Sequence, residues 1–448
     1  MSMTRATQDL QESKSGVTLK GVFSADLLPG ILFVVAMALL APRLQVPDAY
    51  VFDEVYHAYT AGQYAVGNHD AYLWNTHAPR EGVSYMWNHP PAGILFMTVG
   101  IKIWGDNSFG WRIGSAIFGA TGVVLAYLLA LAITRRKAVA VTAALLLLVD
   151  GLYVVQSRTG MLDIYGTVFM LAAFFALHGY LTSPPERVRG PLLRLGLFLG
   201  LGIATKWNAA YASLFVGLVV LGRCAKVYVD SGLNLRNNGV RAHLLWAPLA
   251  IVALPVAVYF AAYGPFFLTG HDFGQFVELQ RQIFRYHTHL QATHTYQSRW
   301  WQWPLTLRPV WYYSTRTAQT VANIYANGNT VLDALFVPAV IWVAWRWLKR
   351  RDPAAIVLVI GFFGQWLPWA LVPRIAFAYH FLPAVPFGCL ALAVILVDLF
   401  GKGFVGRAVA VAYVTLAVSF FVYFYPIYTA VPLTPEAFER RMWVSSWK

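Results

Sequence analysis

The chain has 448 residues, of which 58% are hydrophobic and only 12% charged, with a mean hydropathy of +0.53. That balance exceeds what a soluble globular surface tolerates and leaves no room for a sizeable soluble domain. The formal net charge of +14 does not point to nucleic acid, because the basic residues form short clusters between apolar runs and no continuous stripe.

A charged, Ser-rich tail, residues 1–25, precedes the first apolar run, Leu27 to Leu40. The run lacks a small-x-small cleavage site and opens a repetitive membrane pattern, so it is expected to remain as an uncleaved first helix. Thr121 to Ile133, Leu244 to Ala262, Ala354 to Val372 and Ala376 to Val397 each reach, or extend to, the ~20 apolar residues of a spanning helix. Between the runs lie basic clusters: Arg135 to Lys137, Arg187 to Arg194, Arg223 to Arg241, Arg346 to Arg351, and Lys402 with Arg407. Placing all of them in the cytoplasm predicts about eleven crossings, with the N-terminus inside and the C-terminus outside. The fold expected is an all-α polytopic membrane protein with a cytoplasmic tail over 1–25, a transmembrane domain over 26–425 and an extracytoplasmic tail over 426–448. Leu195 to Gly222 is too short for two straight spans, so short or broken helices are expected there. Cys224 and Cys389 differ in setting and imply no disulfide framework.

This topology leaves three polar outer segments, 42–91, 265–329 and 372–381, with amphipathic helices expected in the two long loops. Nine of the eleven histidines fall in them, so the chemistry belongs to the outer face. In "YVFDEVYHAYTAGQY", Tyr50 to Tyr64, Asp53 and Glu54 open a surface helix. Acidic residues there can simply favour the helix dipole, but a carboxylate held against a bilayer is costly and tends to be functional. Arg112 follows at the outer mouth of the next crossing, suited either to snorkelling or to a phosphate contact through its planar fork. In "SRTGMLDIYGT", Ser157 to Thr167, Arg158 and Asp163 are placed to form a structural ion pair. Lys206, in a run as apolar as "GIATKWNAAY", needs a partner or a water-filled cavity.

"RYHTHLQATHTYQ", Arg285 to Gln297, carries His287, His289 and His294. A β-strand would present the first two on one face, but no cysteine or carboxylate completes a zinc set, so no metal site is expected. "SRWWQWPLTLRPVWYY", Ser298 to Tyr313, reads equally as an interfacial aromatic belt and as a sugar-stacking platform. "PRIAFAYHFLP", Pro373 to Pro383, places Arg374 and His380 at the outer end of a helix pair, where they suit an anion. Acidic residues in one outer loop and cationic candidates in others, all near the bilayer surface, suit a reaction on a lipid-linked phosphate.

The ordered blocks "FDEVYHAYTA", "NHPPAGILFMTVGIKIWGDNSFGWRIGSAIFG", "RTGMLDIYGT", "GIATKWNAAYASLF", "RYHTHLQATHTYQSRWWQWPLTLRPVWYY" and "YHFLPAVPF" resemble the protein O-mannosyltransferases, in particular their shorter bacterial members. The resemblance implies the GT-C glycosyltransferase fold and transfer of mannose from polyprenyl phosphate mannose to Ser or Thr hydroxyls of exported proteins, with inversion at the anomeric carbon. It implies Asp53 as the catalytic carboxylate with Glu54 supporting the same site. Arg112, Lys206, Arg374 and His380 are the candidates to meet the leaving phosphate, and His89, Tyr286, His287 and Trp301 those for the acceptor or sugar. Because a single phosphate leaves, no cofactor and no divalent metal are expected. The expected partners are the donor lipid, Ser/Thr-containing secreted proteins, membrane lipids and the protein translocation machinery, at the plasma membrane. Two departures stand out: 265–329 is too short for the β-trefoil module of eukaryotic members, and "HPPAG" replaces the "HPPLGK" of many. The alternatives are a related transferase with a lipid or glycan acceptor and a lipid-linked sugar transporter, although no internal repeat supports the latter.

Overall fold

The computed structural model describes residues 26–448, so the tail expected over 1–25 lies outside the described residues. The chain opens with α1 (Leu28–Leu40), α2 (Glu54–Ala65), α3 (Ala92–Trp104), α4 (Ser108–Thr134), α5 (Lys137–Leu148) and the short α6 (Gly151–Gln156). Helix α2 is not the surface helix expected from the sequence: Glu54, His57 to Gly62 and Tyr64 are buried, because its small and aromatic side chains pack against α3. It continues through α7 (Leu162–Thr182), α8 (Arg189–Thr205), α9 (Ala209–Asp230) and α10 (Asn238–Ala262) to α11 (Phe273–His289). A hairpin, β1 (Val310–Arg316) and β2 (Val321–Ala326), precedes α12 (Thr330–Lys349), α13 (Ala354–Trp366), α14 (Val385–Phe400) and α15 (Gly403–Tyr428). Among the described residues, eight helices are long and apolar enough to cross a membrane and three more are shorter but apolar.

The bundle is organised around α7, which is apolar on every side and has 83% of its central window inside the protein. It packs against α4, α8 and α13, whereas α9 and α10 turn most of their surface outward. Helix starts follow local chemistry: the Asn107 side chain accepts from the N–H groups of Phe109 and Gly110 at α4, and Asp272 and Gln275 form a reciprocal capping box at α11. Where α3 crosses α4, a Cβ on Gly100 would collide with the carbonyl oxygen of Gly110, so only glycine permits this approach.

The pair α8 and α9 differs from the expectation of short or broken helices. They run for 17 and 22 residues, because the charged flanks join the helices instead of ending them. Arg189 lies 4.7 Å from the Trp246 ring, Arg223 donates to the carbonyls of Tyr180 and Ser183, and Lys226 pairs with Asp230 at 2.7 Å.

The hairpin adds β structure that an all-α reading omits. Its strands, "VWYYSTR" and "VANIYA", are rich in β-branched and aromatic residues and pair antiparallel with a bulge between Trp311 and Tyr313. Three contacts tie it to one end of the bundle. Val321 bridges to Leu433, Tyr325 Oη donates to the Trp447 carbonyl at 2.7 Å, and the Phe52 N–H donates to the Tyr312 carbonyl at 3.0 Å. The start of α2, the hairpin and the C-terminal segment therefore share one face. At the far end, Asp398 joins three elements by accepting from Arg136 and Arg346, each at 2.6 Å.

Candidate active site

The site is built outward from the turn that enters α2. Phe52 sits at φ +47°, in the left-handed region, a conformation that costs a non-glycine residue about 1–3 kcal/mol and persists only where surroundings enforce it. Tyr312 supplies that enforcement. Its carbonyl takes the Phe52 N–H, its ring stacks on Phe52 at 4.5 Å and 4°, and its hydroxyl accepts from Gln156 Nε2 at 2.6 Å.

Glu54, next along, is buried and fully engaged. Its Oε1 accepts from Arg112 Nε at 2.8 Å and the Gly160 N–H at 2.7 Å; its Oε2 accepts from Arg112 Nη2 at 2.7 Å and the Val51 N–H at 2.9 Å. Arg112 also donates to the carbonyls of Leu44, Pro47 and Ala49. With its guanidinium spent on Glu54 and these carbonyls, Arg112 is not placed to meet a phosphate, contrary to the sequence expectation. The pair instead pins the start of α2 to the loop before it and to the segment after α6.

That leaves Asp53 as the free carboxylate. It is half-buried, and among the described residues its side chain caps nothing and accepts no hydrogen bond. Burial raises its pKa to about 7; the positive charge of Lys206 opposes the rise and the Asp163 carboxylate adds to it.

Lys206 stands at the end of α8 and donates to both oxygens of Asp163, each at 2.9 Å, in a buried pair. Its Nζ also lies 5.3 Å from the Tyr379 ring. The expected Arg158–Asp163 pair is not formed. Arg158 donates to the carbonyls of Leu40 and Pro42, and Asp163 takes the lysine, the other charge that the apolar interior cannot leave unpaired.

A third group gathers around the same charges. His287 bonds the Asn88 carbonyl through Nε2 at 2.8 Å, its ring lies 5.1 Å from His89, and Tyr286 meets Trp87 edge-on at 5.5 Å. The Nδ1 atoms of His89 and His287 are buried without a partner among the described residues. Burial first, then the charge of Arg374, lowers the pKa of His287 to about 4; burial and Lys206 hold His89 well below the usual range. Both are neutral imidazoles at neutral pH, able to hydrogen-bond but adding no charge. His380 commits Nδ1 to the backbone of Phe377 and packs 4.0 Å from Trp369. Arg374 is half-buried, and among the described residues its guanidinium forms no ion pair. It lines a surface cleft of about 1180 Å³, together with Trp301.

Of the sequence candidates, the structure brings Asp53, Lys206, Arg374, His89, Tyr286, His287 and His380 around one centre. It sets Glu54 and Arg112 behind that centre and Trp301 at the cleft. His287 and His289 lie on the last turn of α11, not on a strand, so their spacing does not place both on one face. Sequence reasoning did not assign Phe52, Tyr312 and Tyr379 to the site. The signal for Tyr379 was its place beside His380; for Tyr312 there was none, since it lies 260 residues from its partner.

The profile of the dolichyl-phosphate-mannose-protein mannosyltransferases matches residues 30–269, and that of the C-terminal four-transmembrane region of protein O-mannosyltransferase matches residues 272–447. The chain is 29% identical to the polyprenol-phosphate-mannose–protein mannosyltransferase of Mycobacterium tuberculosis, covering 89% of this chain and 86% of the relative. It is 25% identical to the Corynebacterium glutamicum protein of the same name, covering 80% and 81%. Among solved structures, the S. cerevisiae protein O-mannosyltransferase Pmt1-Pmt2 complex bound to the sugar donor matches with a TM-score of 0.80, 17% identity and coverage of 98% of this chain and 94% of that one. ArnT from Cupriavidus metallidurans bound to undecaprenyl phosphate matches with a TM-score of 0.58, 18% identity and coverage of 90% and 70%. These structures share the GT-C architecture, and with the two profiles extending over almost the whole chain, this multi-pass membrane protein belongs to the dolichyl-phosphate-mannose-protein mannosyltransferase family.

Proposed function

We propose that the protein transfers mannose from polyprenyl phosphate mannose to Ser or Thr hydroxyls of exported proteins, with Asp53 as the general base. The observation that carries this reading is the contrast between three neighbouring carboxylates. Glu54 is saturated by Arg112 and backbone N–H groups, Asp163 is held by Lys206, and Asp53 is unengaged with a pKa raised to about 7. A base poised near the working pH is the one best able to take a hydroxyl proton as bonding develops. The hydroxyl oxygen attacks the anomeric carbon, the bond from that carbon to the phosphate oxygen breaks, and the proton passes to Asp53. Direct displacement inverts the configuration. Charge growing on the departing polyprenyl phosphate is met by Arg374 and by Lys206, whose own charge is partly offset by Asp163. His89 and His287 add neutral hydrogen-bonding capacity around the sugar and phosphate, and His380 lends its remaining ring nitrogen.

Because one phosphate departs and side chains can meet it, the reaction proceeds without a divalent metal or other cofactor. The face shared by α2, the hairpin and the C-terminal segment is extracytoplasmic, the Arg136–Asp398–Arg346 end is cytoplasmic, and the host bilayer is the plasma membrane. That orientation presents Asp53 to chains emerging from the translocation machinery. Support for a protein acceptor, as against a lipid or glycan, comes from the family profiles of both halves and from the names of the mycobacterial relatives. The test is transfer of radiolabelled mannose from polyprenyl phosphate mannose to a Ser/Thr peptide by the purified chain. Labelled, alkali-releasable mannose on the peptide is expected; labelling of lipid alone, or none, overturns the reading.

A further inference from the structure

The surface cleft is walled by residues 288–302 with Arg308 on one side and 369–376 on the other. Arg299, Arg308 and Arg374 line it, and among the described residues no aspartate or glutamate does. Membrane insertion keeps Lys and Arg on the cytoplasmic side, so guanidinium groups gathered on the opposite face have a reason other than topology. Arg308 is held in place, with Nε and Nη2 both donating to the Thr295 carbonyl, at 2.9 and 2.5 Å. The walls also offer unused backbone. Among the described residues, the N–H groups of Gln291, Ala292 and Thr293 on one wall, and of Arg374, Ile375 and Ala376 on the other, make no hydrogen bond within the chain. Backbone groups of this kind are what an extended peptide pairs with, while side chains beside them set its preferred sequence. The cleft leads to the reacting centre, because His294 in its wall meets Phe52 edge-on at 6.4 Å, and Phe52 directly precedes Asp53.

From these observations we infer that the cleft holds the acceptor as an extended polypeptide segment and favours acceptors carrying Asp or Glu near the modified Ser or Thr, recognised by Arg299 and Arg308. The inference rests on the acceptor assignment proposed above. Arg374, whose charge reaches His287 and His89, is left for the phosphate at the inner end.

The experiment uses full-length protein and three short peptides, each with one Thr flanked by Asp, Ala or Lys. Fluorescence anisotropy without donor reads peptide binding, and mannosyl transfer reads turnover. At low ionic strength the Asp peptide is expected to bind about tenfold more tightly than the Lys peptide, with the difference carried by KM and reduced by salt. The double variant Arg299→Ala/Arg308→Ala should abolish the discrimination while its melting temperature stays that of wild type. Equal affinity for all three peptides overturns the inference, as does a preference that survives the double variant. A double variant that keeps the peptide preference but loses adsorption to anionic-lipid vesicles would assign the arginines to headgroups and overturn it as well. Discriminating binding without any mannose transfer would leave the cleft assignment standing and refute the proposed reaction, so the two fail separately.

Discussion

Replacing Asp53 by Asn is expected to cost activity and add stability, a combination that a merely structural carboxylate would not produce. The folded protein raises the pKa from 3.8 to about 7, mainly through burial. Each unit corresponds to about 1.36 kcal/mol, and because the side chain keeps partial access to solvent, the cost of carrying the charge in the folded state is on the order of 2–4 kcal/mol. The sign follows from proton binding. An acid whose folded pKa is raised holds its proton more tightly folded than unfolded, so below about pH 4 the group contributes nothing, and the penalty grows from there to completion above about pH 7. Asp53→Asn removes it. In detergent, the variant should melt at or above the wild-type temperature near pH 8, with the gap closing toward about pH 4. Over the same range its single-turnover mannosyl transfer should fall by roughly 10²–10⁴-fold with donor affinity little changed. Wild-type kcat/KM should rise with pH through about 7 as the base loses its proton, and that limb should vanish in the variant. Near wild-type turnover, or a melting temperature lowered at every pH, would refute the argument.

Arg112→Ala leaves Glu54 buried and unpaired, so stability should drop by roughly 3–5 kcal/mol, measured by thermal unfolding. Arg374→Ala should instead keep its melting temperature and weaken donor affinity by about tenfold or more, the loss of a charge-assisted contact of about 1.5–3 kcal/mol. Activity should survive exhaustive chelation; loss followed by rescue with one divalent ion would contradict the metal-free scheme. Cysteines placed at Gln319 and Lys448 should react with an impermeant reagent from outside intact cells, and labelling only after permeabilisation would reverse the proposed orientation.

The membrane class and the need of Lys206 for a partner were legible in the linear sequence, because each rests on a local cost. An apolar run of sufficient length has to leave water, and a charge inside such a run needs a compensating partner. Which partner was not legible. Arg158 is five residues from Asp163 and Lys206 is forty-three away, yet the packing of α7 against α8 brings the lysine to the carboxylate and leaves the arginine to backbone carbonyls. The same holds for Asp53 and Glu54, adjacent and chemically alike. One is saturated by Arg112 and by backbone N–H groups from Gly160 and Val51, and the other is left free beside Phe52, which the hairpin meets in a left-handed turn. Sequence sets which residues cannot be left alone; pairing between segments far apart in the chain depends on how the helices pack, and that is decided in three dimensions.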